Sequence, residues 1–493
     1  MSPKYQGLLD HSRMEDVDLK SSTWRPSLRP SRWSLDLVRP EFVTSLRRPS
    51  NPNKPVRRTA WLDGLRGFAA FLVYLHHNHL WANNIHGNDI MENAFGYKGR
   101  HYFAALPFVR NFFTGGHYAV SIFFVISGYV LSVKSLGLIQ KGQLQQSADS
   151  VGSALYRRWF RLYIPVIAVS WIYLTMRHWT KMYVGMGELK PTYREDLWNF
   201  YATFKNYSFV FTGNFVDFPI AYQPHAWSIP VEFRGSVVIY SALLALARCT
   251  KNARLWCEAG LIFYFLYIVD GWNCALFVAG MLLCDLDLLA LDGELPRVFS
   301  ALSGFKELIF FHLFILGSYL AGAPSCDMAG IESDYSKSPG WRWLNHLKPQ
   351  AVFDKKWFYL FWAATFTVAA IPRLPLLKRV FESRICQYLA RVSFALYLVH
   401  GPIIWTLGDR LYSAAGFVRE SHKQHIPAWV EKFPLSKSGP MGLQLAFWGP
   451  QLILLPVTLY VAEVVTKLFD EPSVKIANWL YNKALAPPSS PKR

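Results

Sequence analysis

Cysteine and acidic residues are scarce in this sequence. The 493 residues include six cysteines, and none of them stands in a CxxC motif or in paired spacing. Four of the six lie in or beside apolar runs, so we interpret them as small buried hydrophobic residues and not as a disulfide framework or a zinc site. Aspartate and glutamate number 33 against 52 lysines and arginines, which gives a formal net charge of +19.

This basic excess does not indicate nucleic-acid binding. It is concentrated in short segments between apolar runs, which is the distribution that the positive-inside rule gives a membrane protein. No motif that reads a DNA groove or stacks on bases accompanies the charge. We therefore expect a lipid bilayer as partner and no nucleic acid.

Long apolar runs are abundant, whereas internal repeats are lacking. Hydrophobic residues make up 52% of the chain and aromatic residues 16%. The apolar runs approach the length of about 20 residues that crosses the hydrocarbon core of a bilayer. The prediction is an all-α, polytopic membrane bundle of about ten transmembrane helices. The predicted spans are 60–80, 118–134, 162–178, 228–247, 256–270, 273–290, 308–323, 357–371, 388–408 and 443–467.

The basic segments also predict the orientation and the domain limits. The tail before the first span, the connection after the second and the connection after the eighth are all rich in lysine and arginine. With ten spans these three segments share one side, the cytosol, so both termini are predicted to be cytosolic. Residues 1–58 are expected to form a disordered basic tail, 59–470 the membrane domain and 471–493 a short cytosolic tail. The endoplasmic reticulum or a connected membrane is the expected location.

The connection 179–227 falls on the opposite, lumenal side in this arrangement. It contains the triplet Asn206-Tyr-Ser208, which fits the acceptor pattern for N-glycosylation. Such triplets are common, so a chance occurrence stays open. Glycosylation at Asn206 is a prediction that agrees with lumenal exposure.

Two ionisable residues lie inside the first predicted span. Arg66 and His77 are eleven positions apart, which on an α-helix is three full turns plus about 20°, so both side chains point the same way, about 16 Å apart along the axis. Asp63 precedes Arg66 by three positions and can pair with it on the helix surface. Ionisable residues inside a bilayer usually face the bundle interior and are functional. Two ionisable side chains on one face of this helix therefore predict a polar cavity.

His77 belongs to the polar run from His76 to His79. An imidazole titrates near neutrality and can act as a general base. A polar helix end at the lumenal interface is the alternative for this run. No carboxylate stands at helical spacing beside the histidines, so no metal site is expected.

Two further segments combine small or basic residues with apolar ones. Ser127 and Gly128 in the second span let another helix approach closely, and a structural role for them is favoured over substrate contact. Arg158 and Arg161 lie on one face at the start of the third span, where they could hold the phosphates of a nucleotide-containing donor. A cluster that only sets the topology is the alternative for the two arginines.

The fourth and ninth spans carry the remaining candidates. Ser228 and Glu232 are four positions apart and share a helix face, just after His225. Glu232 is expected to be a functional intramembrane carboxylate, unless it only complements the dipole at the helix N-terminus. His400 could line the same cavity, although a structural histidine is the other interpretation.

These residues, in this order, resemble the acyltransferase 3 family of multi-pass membrane acyltransferases in its fungal form. The resemblance covers about residues 59–470. The family's motifs are matched here by Arg66 and His77, by Phe-Phe-x-x-Ser-Gly at 123–128, by Arg158 and Arg161, by Trp227, Ser228 and Glu232, and by Tyr397, Leu398 and His400.

The resemblance implies an O-acyltransferase that moves an acyl group, often acetyl, from acyl-coenzyme A to a hydroxyl. It implies that His77 is catalytic, that Arg66 binds or orients the donor, and that Glu232 lies near the reacting centre. Arg158 and Arg161 would then meet the coenzyme at the cytosolic mouth. Family acceptors include sugars, lipids and small metabolites, and the absence of an added extracytoplasmic domain favours a small metabolite, here a fungal secondary metabolite.

Two alternatives stay open at this point. The acceptor could be a carbohydrate or a lipid. The chain could also be a multi-pass transporter with Arg66, His77 and Glu232 as a charge relay. Transporters of that kind usually show inverted repeats and matched broken helices, which the sequence does not show.

Overall fold

The computed structural model describes residues 40, 58–83, 93–187, 189–211, 222–325 and 335–485. The chain divides into two units, 1–60 and 61–493. Of the first unit, only residues 40 and 58–60 are described, so almost all of the predicted tail 1–58 lies outside the described residues. Within the described ranges the regular structure is entirely helical, as predicted.

The longer helices follow one another along the second unit, and α1 begins at its boundary. They are α1 Ala60–Asn83, α2 Gly116–Gln140, α3 Leu144–Thr180, α4 Tyr193–Tyr207, α5 Ser228–Ala245, α6 Lys251–Phe263, α7 Trp272–Leu291, α8 Lys306–Leu320, α9 Lys355–Ala370, α10 Arg384–Ile403 and α11 Leu445–Val465. Short α-helices are Arg110–Thr114, Arg297–Ala301, Pro375–Phe381, Asp409–Ala415, Glu420–His425 and Glu471–Ala484. Single π-turns are Tyr264–Ile268, Ile404–Gly408 and Thr466–Asp470. Single 3₁₀ turns are Tyr97–Gly99, Phe103–Ala105, Pro224–Trp227, Ser303–Phe305, Leu344–Leu347, Ile371–Arg373 and Pro427–Trp429.

The predicted count of about ten spans is not confirmed. In the part of the chain that the structure describes, six helices are long and apolar enough to cross a membrane, or up to seven if the bent pair Lys355–Arg373 and Pro375–Phe381 is one span. These seven coincide with seven of the predicted spans. The six are Gly116–Gln140, Leu144–Thr180, Pro224–Ala245, Trp272–Leu291, Arg384–Ala415 and Leu445–Ala484.

The other three predicted spans are not long and apolar enough to be among these helices, and the physical reasons differ. Helix α1 has 24 residues, which is long enough, but it carries Asp63, Arg66 and a run of histidines. Helix α6 continues into the π-turn Tyr264–Ile268 but carries Lys251, Arg254 and Glu258, and α8 is apolar but has only 15 residues. A straight span needs about 20 residues at 1.5 Å each.

Glycine residues allow the helices around the site to touch backbone to backbone. A Cβ atom at Gly128 on α2 would overlap the carbonyl of Phe277 on α7, and one at Gly280 would overlap the carbonyl of Val125. This reciprocal contact agrees with the structural interpretation of the Ser127-Gly128 segment. On α1, a Cβ at Gly67 would overlap the backbone of α10 at Ala390, so α1 is held against α10.

The last helix does not stop at the end of its apolar segment. After α11, a π-turn leads directly into the helix Glu471–Ala484. This helix packs on α3, where Arg157 Nη1 donates to Asn478 Oδ1 at 2.6 Å and the rings of Tyr156 and Tyr481 lie 5.4 Å apart. Much of the predicted C-terminal tail is therefore an ordered helix.

Candidate functional site

A polar cavity of about 170 Å³ opens between α1, α2, α3, α5 and α10. Six of the residues predicted for the site contribute to its wall, from four separate parts of the sequence. They are Arg66, Ser127, Arg158, Arg161, Ser228 and Glu232, together with the polar residues Arg391, Ser393, Tyr397 and Asp470. The cavity thus gathers four arginines and two carboxylates in one hollow.

An ion pair between α3 and α5 forms one side of the cavity. Arg158 Nη2 donates to Glu232 Oε1, and Arg158 Nε donates to Ser236 Oγ at 2.9 Å. The Arg158 and Glu232 side chains are only 12% and 14% exposed, so the pair is largely removed from solvent. Ser127 also hydrogen-bonds the Glu232 carboxyl. Glu232 therefore neutralises one arginine and has a specific partner, as its intramembrane position requires.

Two further arginines of the wall, Arg66 and Arg161, are more accessible than Arg158. Arg66 lies 3.5 Å from Asp63 Oδ1, and the same Nη2 atom lies 3.5 Å from the carbonyl of Ala390. This confirms the predicted pairing of Asp63 with Arg66, and the Arg66 side chain keeps 37% of its surface exposed. Arg161 is exposed in the cavity wall, with Asp470 also in that wall. Guanidinium groups open to a hollow can bind phosphate in bidentate fashion.

His77 does not line this cavity, nor do the other two predicted histidines. It lies three helical turns further along α1, in a cluster of three rings from three segments. The ring centroids of His77 and His400 are 4.9 Å apart, those of His225 and His400 are 4.5 Å apart, and those of His77 and His225 are 6.1 Å apart. The prediction that Arg66 and His77 face one common hollow is therefore corrected. The eleven-residue rise along α1 separates the two side chains by about 16 Å, so that His77 lies beyond the residues that line the cavity.

Hydrogen bonds fix the proton positions in the His77–His400 pair. His400 Nδ1 lies 3.0 Å from the carbonyl of Leu396, and His77 Nδ1 lies 3.0 Å from the carbonyl of Val73. Because a carbonyl only accepts, both Nδ1 atoms carry hydrogen. His400 Nε2, 3.0 Å from His77 Nδ1, then accepts from His77. The neutral His77 ring consequently has its lone pair on Nε2, which is the arrangement of a general base.

Tyr397 and Ser228 contact both the cavity and the histidine cluster. Ser228 and Tyr397 both line the cavity. The Tyr397 hydroxyl donates to the carbonyl of His225, and Ser228 Oγ lies 2.7 Å from the same hydroxyl oxygen. The Tyr397 ring lies 5.5 Å from the His225 ring and 5.9 Å from the His400 ring.

The other predicted positions have distinct environments. His400 is 1% exposed with both nitrogens hydrogen-bonded, which agrees with a structural histidine and places it outside the cavity it was expected to line. Both ring nitrogens of His225 are buried without a partner among the described residues. Asn206 is exposed near the end of α4. No group of three or more His, Cys, Asp or Glu residues in the described ranges is arranged to hold a metal ion.

Sequence reasoning missed four polar residues of the cavity wall, namely Arg391, Ser393, Tyr397 and Asp470. Tyr397 belongs to the Tyr-Leu-x-His motif, which signals it, although only His400 of that motif was selected. Asp470 lies three residues beyond the last predicted span. Its carboxylate reaches the cavity because the π-turn Thr466–Asp470 continues the helix, and no local pattern indicates this.

Comparison with known proteins agrees with this geometry. The model of the acyltransferase 3 family, described as an acyltransferase domain, matches residues 59–466. O-acetyltransferase PaAT-1 of Phomopsis amygdali is 28% identical over 489 residues, which cover 93% of this chain and 90% of that protein. Acyltransferase clz18 of Cochliobolus lunatus is 24% identical, covering 89% of this chain and 98% of that protein.

A third relative is also named as an acyltransferase. Acyltransferase R4 of a Phoma species is 25% identical over 414 residues, which cover 73% of this chain and 86% of that protein. No solved structure matches the chain. Since the family model spans most of the sequence, the chain belongs to the acyltransferase 3 family.

Proposed function

We propose that this protein is an integral membrane O-acyltransferase that moves an acetyl group from acetyl-coenzyme A to a hydroxyl of a small molecule, a fungal secondary metabolite. Membership of the family and three fungal acyltransferase relatives, one named as an O-acetyltransferase, support acyl transfer. The choice of donor and acceptor comes from the chemistry of the site and from the resemblance.

One observation carries the proposal, namely the contact between His400 Nε2 and His77 Nδ1. This contact leaves His77 Nε2 with a fixed lone pair near a cavity that is lined by four arginines. A hydroxyl is a poor nucleophile until a base removes its proton, whereas a thioester is already activated. A positioned base next to an anion-binding hollow is what transfer from coenzyme A to an alcohol requires.

The donor would occupy the arginine-lined cavity. Arg161 and Arg66 are open to it and would hold the phosphates, while Arg158 is engaged by Glu232. Because about 16 Å of helix separates Arg66 from His77, we assign Arg66 to donor binding and not to the reacting carbonyl. The pantetheine arm would extend past Ser228 and Tyr397 toward His77, which brings the thioester to the base.

The reaction then proceeds in two steps at His77. Nε2 takes the proton of the acceptor hydroxyl as the oxygen attacks the thioester carbonyl, and a tetrahedral oxyanion forms. The C–S bond breaks as the oxyanion collapses. The leaving thiolate takes the proton from the His77 imidazolium, so the products are an O-acyl ester and coenzyme A. His400 keeps the His77 ring in the tautomer that can accept the proton.

Removal of the imidazole tests the proposal. Membranes containing the full chain or His77→Ala are incubated with labelled acetyl-coenzyme A and candidate alcohols, and the labelled esters are counted. We expect H77A to lose about 10²–10⁴-fold of the rate while it accumulates normally, because a positioned base contributes that much. His312→Ala is the matched control, since His312 makes the same i−4 carbonyl contact, at 2.8 Å, on α8. Full turnover by H77A would contradict the proposal.

The proposal also specifies the membrane, the topology and the class of acceptor. We place the protein in the endoplasmic reticulum or a connected membrane, with cytosolic termini, a cytosolic donor entrance and a glycan at Asn206. A polyketide or terpene synthase encoded beside the gene would support a metabolite acceptor. Ester formation on a carbohydrate or lipid alone would replace it with that acceptor class. Flux of a labelled solute through vesicles without coenzyme A would favour a transporter instead.

A further inference from the structure

The arginines that line the cavity have different counter-ions. Arg161 interacts electrostatically with Arg66 and with Asp470, and all three side chains lie in the cavity wall. Arg391, on α10, also lines the cavity, but its Nη2 atom lies 3.0 Å from Oε1 of Glu471, the first residue of the helix that follows α11. The wall thus offers an anion two positions, one at Arg66 and Arg161 and one at Arg391.

Exposure to solvent changes along the α10 side of the cavity. The Arg391 side chain is 39% exposed, whereas Ser393 and Tyr397 on the same helix are buried. Tyr397 is six residues, or about 9 Å, further along the helix axis, and its ring contacts the rings of His225 and His400. Arg391 therefore lies at the open end of the cavity, and the histidine cluster lies beyond the buried end.

The cavity is too small to enclose a whole coenzyme A molecule. Its volume is about 170 Å³, whereas pockets that bury a drug-sized ligand measure about 300–1,000 Å³. Coenzyme A consists of a narrow pantetheine arm, a pyrophosphate and an adenosine with a 3′-phosphate. Because the thioester end must approach the histidine cluster, the wide nucleotide end stays at the open end of the cavity, where Arg391 lies.

We propose that Arg391 binds the adenosine 3′-phosphate of the donor, while Arg66 and Arg161 bind its pyrophosphate. The inference rests on the proposed function, because it assumes that the donor is a coenzyme A thioester. A guanidinium can bind a phosphate through two parallel hydrogen bonds, which are stronger because both groups are charged. The two phosphate-bearing parts of the donor would thereby meet the two arginine positions of the wall.

Glu471 holds Arg391 where the 3′-phosphate is to bind. The Arg391 and Glu471 side chains are 39% and 46% exposed, and an ion pair of this exposure contributes little because water screens it. A phosphate carries more negative charge than a carboxylate and can displace it from the guanidinium. Glu471 therefore competes with the donor, and its removal should strengthen binding of a ligand that has the 3′-phosphate.

This arrangement selects among carriers of the same acyl group. A phosphopantetheine arm on a carrier protein has one phosphate and no adenosine, so it would leave Arg391 paired with Glu471. Coenzyme A supplies the second phosphate group and gains the second contact. Arg391 is thus assigned to specificity and not to catalysis, since nine residues, or about 14 Å of helix, separate it from His400.

The test compares coenzyme A with 3′-dephospho-coenzyme A on the purified full chain in detergent. The midpoint of thermal unfolding is measured against the concentration of each compound, because a ligand that binds the folded state raises it. We expect the wild-type chain to bind coenzyme A about tenfold more tightly, as for charge-assisted hydrogen bonds. Arg391→Gln should bind both compounds equally, with the wild-type affinity for the dephospho compound.

Glu471→Gln distinguishes phosphate binding from a merely structural ion pair. It removes the competing carboxylate, so the affinity for coenzyme A should rise about twofold to fivefold, the range expected for an exposed ion pair. If the pair were only structural, E471Q would instead weaken binding, as R391Q does. Arg391→Lys keeps the charge without the planar fork and should give an intermediate preference, which covers the case that R391Q does not accumulate.

Lys378→Gln is the matched control. The Lys378 side chain is also 39% exposed and pairs with Glu382 at 3.7 Å, but neither residue lines the cavity. K378Q should therefore keep the full preference for coenzyme A. A wild-type chain that binds both compounds equally, an R391Q variant that keeps the preference, or weaker binding by E471Q would overturn the inference.

Failure of this inference is distinguishable from failure of the proposed function. The binding measurement needs no acyl transfer, and turnover of acetyl-coenzyme A is followed separately on the same preparations. Turnover without any preference for the 3′-phosphate would leave the enzyme and remove the role of Arg391. A preference that depends on Arg391, without turnover on any alcohol, would contradict the proposed function and leave a coenzyme A binding site.

Discussion

His400 Nε2 lies 3.0 Å from His77 Nδ1, although 323 positions separate the two residues in the sequence. His400 is itself held by its bond to the carbonyl of Leu396. The pair therefore couples the orientation of the proposed base on α1 to the packing of α10.

Replacement of His400 should lower the rate without weakening donor binding. His400→Phe removes one of the two acceptors at His77 Nδ1–H and leaves only the Val73 carbonyl, so the ring is held less firmly. We expect kcat to fall about tenfold to a hundredfold, because the variant loses part of the contribution of a positioned base. The KM for acetyl-coenzyme A should be unchanged. Release of the coenzyme A thiol is measured against donor concentration. His400→Gln retains an acceptor and should recover part of the rate; equal losses in both variants would argue against a positioning role.

Loss of Arg161 should weaken binding of the phosphates of the donor. Arg161→Gln is expected to raise KM for acetyl-coenzyme A about tenfold to a hundredfold, as expected for charge-assisted hydrogen bonds worth about 1.5–3 kcal/mol. The same variant should leave KM for acetyl-pantetheine, which has no nucleotide, unchanged. Arg157→Gln is the control, because Arg157 bonds Asn478 and does not line the cavity. Equal effects of R161Q on both donors would show that Arg161 does not bind phosphate.

A methyl group at Gly128 should destabilise the bundle. The added Cβ of Gly128→Ala overlaps the Phe277 carbonyl, and overpacking of this kind costs about 1–3 kcal/mol. The midpoint of thermal unfolding in detergent is expected to fall. Gly152→Ala on α3 is the control, since a Cβ there meets no atom within 4 Å and alanine favours a helix. An unchanged midpoint for G128A would show that α2 and α7 are not in backbone contact.

The predicted topology can be checked at Asn206. If the connection 179–227 is lumenal, the chain expressed in fungal cells should migrate faster on gels after glycosidase treatment. Asn206→Gln should migrate at that faster position without treatment. Ser208→Thr, which preserves the acceptor triplet, should keep the slower mobility. A chain insensitive to glycosidase, with the loop accessible to protease only from the cytosolic side, would reverse the orientation.

The sequence predicted most of the cavity because its residues come from local patterns. Arg66, Arg158, Arg161, Ser228 and Glu232 all belong to motifs within or beside apolar spans, where an ionisable residue is informative. Six strongly apolar spans were equally recognisable, because hydropathy over about 20 residues is a local property. Helices α6 and α8 show the limit of prediction from hydropathy, because an apolar run in the sequence does not reveal at which residues its helix begins and ends.

The remaining features depend on tertiary contacts that no spacing encodes. Tyr397 and Ser228, which contact both the cavity and the histidine cluster, come from α10 and α5. Arg391 looks like an ordinary basic residue of α10, and only its place in the cavity wall beside Glu471 makes it unusual. Asp470 reaches the cavity through a π-turn that extends α11.

The distribution of the site over the chain has a consequence for biosynthesis. A ribosome delivers α1, with His77, long before it delivers α10 and the turn that ends at Asp470. A nascent chain that has only α1 therefore contains the proposed base, His77. It lacks His400, which orients that base, and Asp470, which lines the cavity. On the proposed function, acetyl-coenzyme A would meet a competent enzyme only after the final helix has docked, and a partly inserted polypeptide would be inactive.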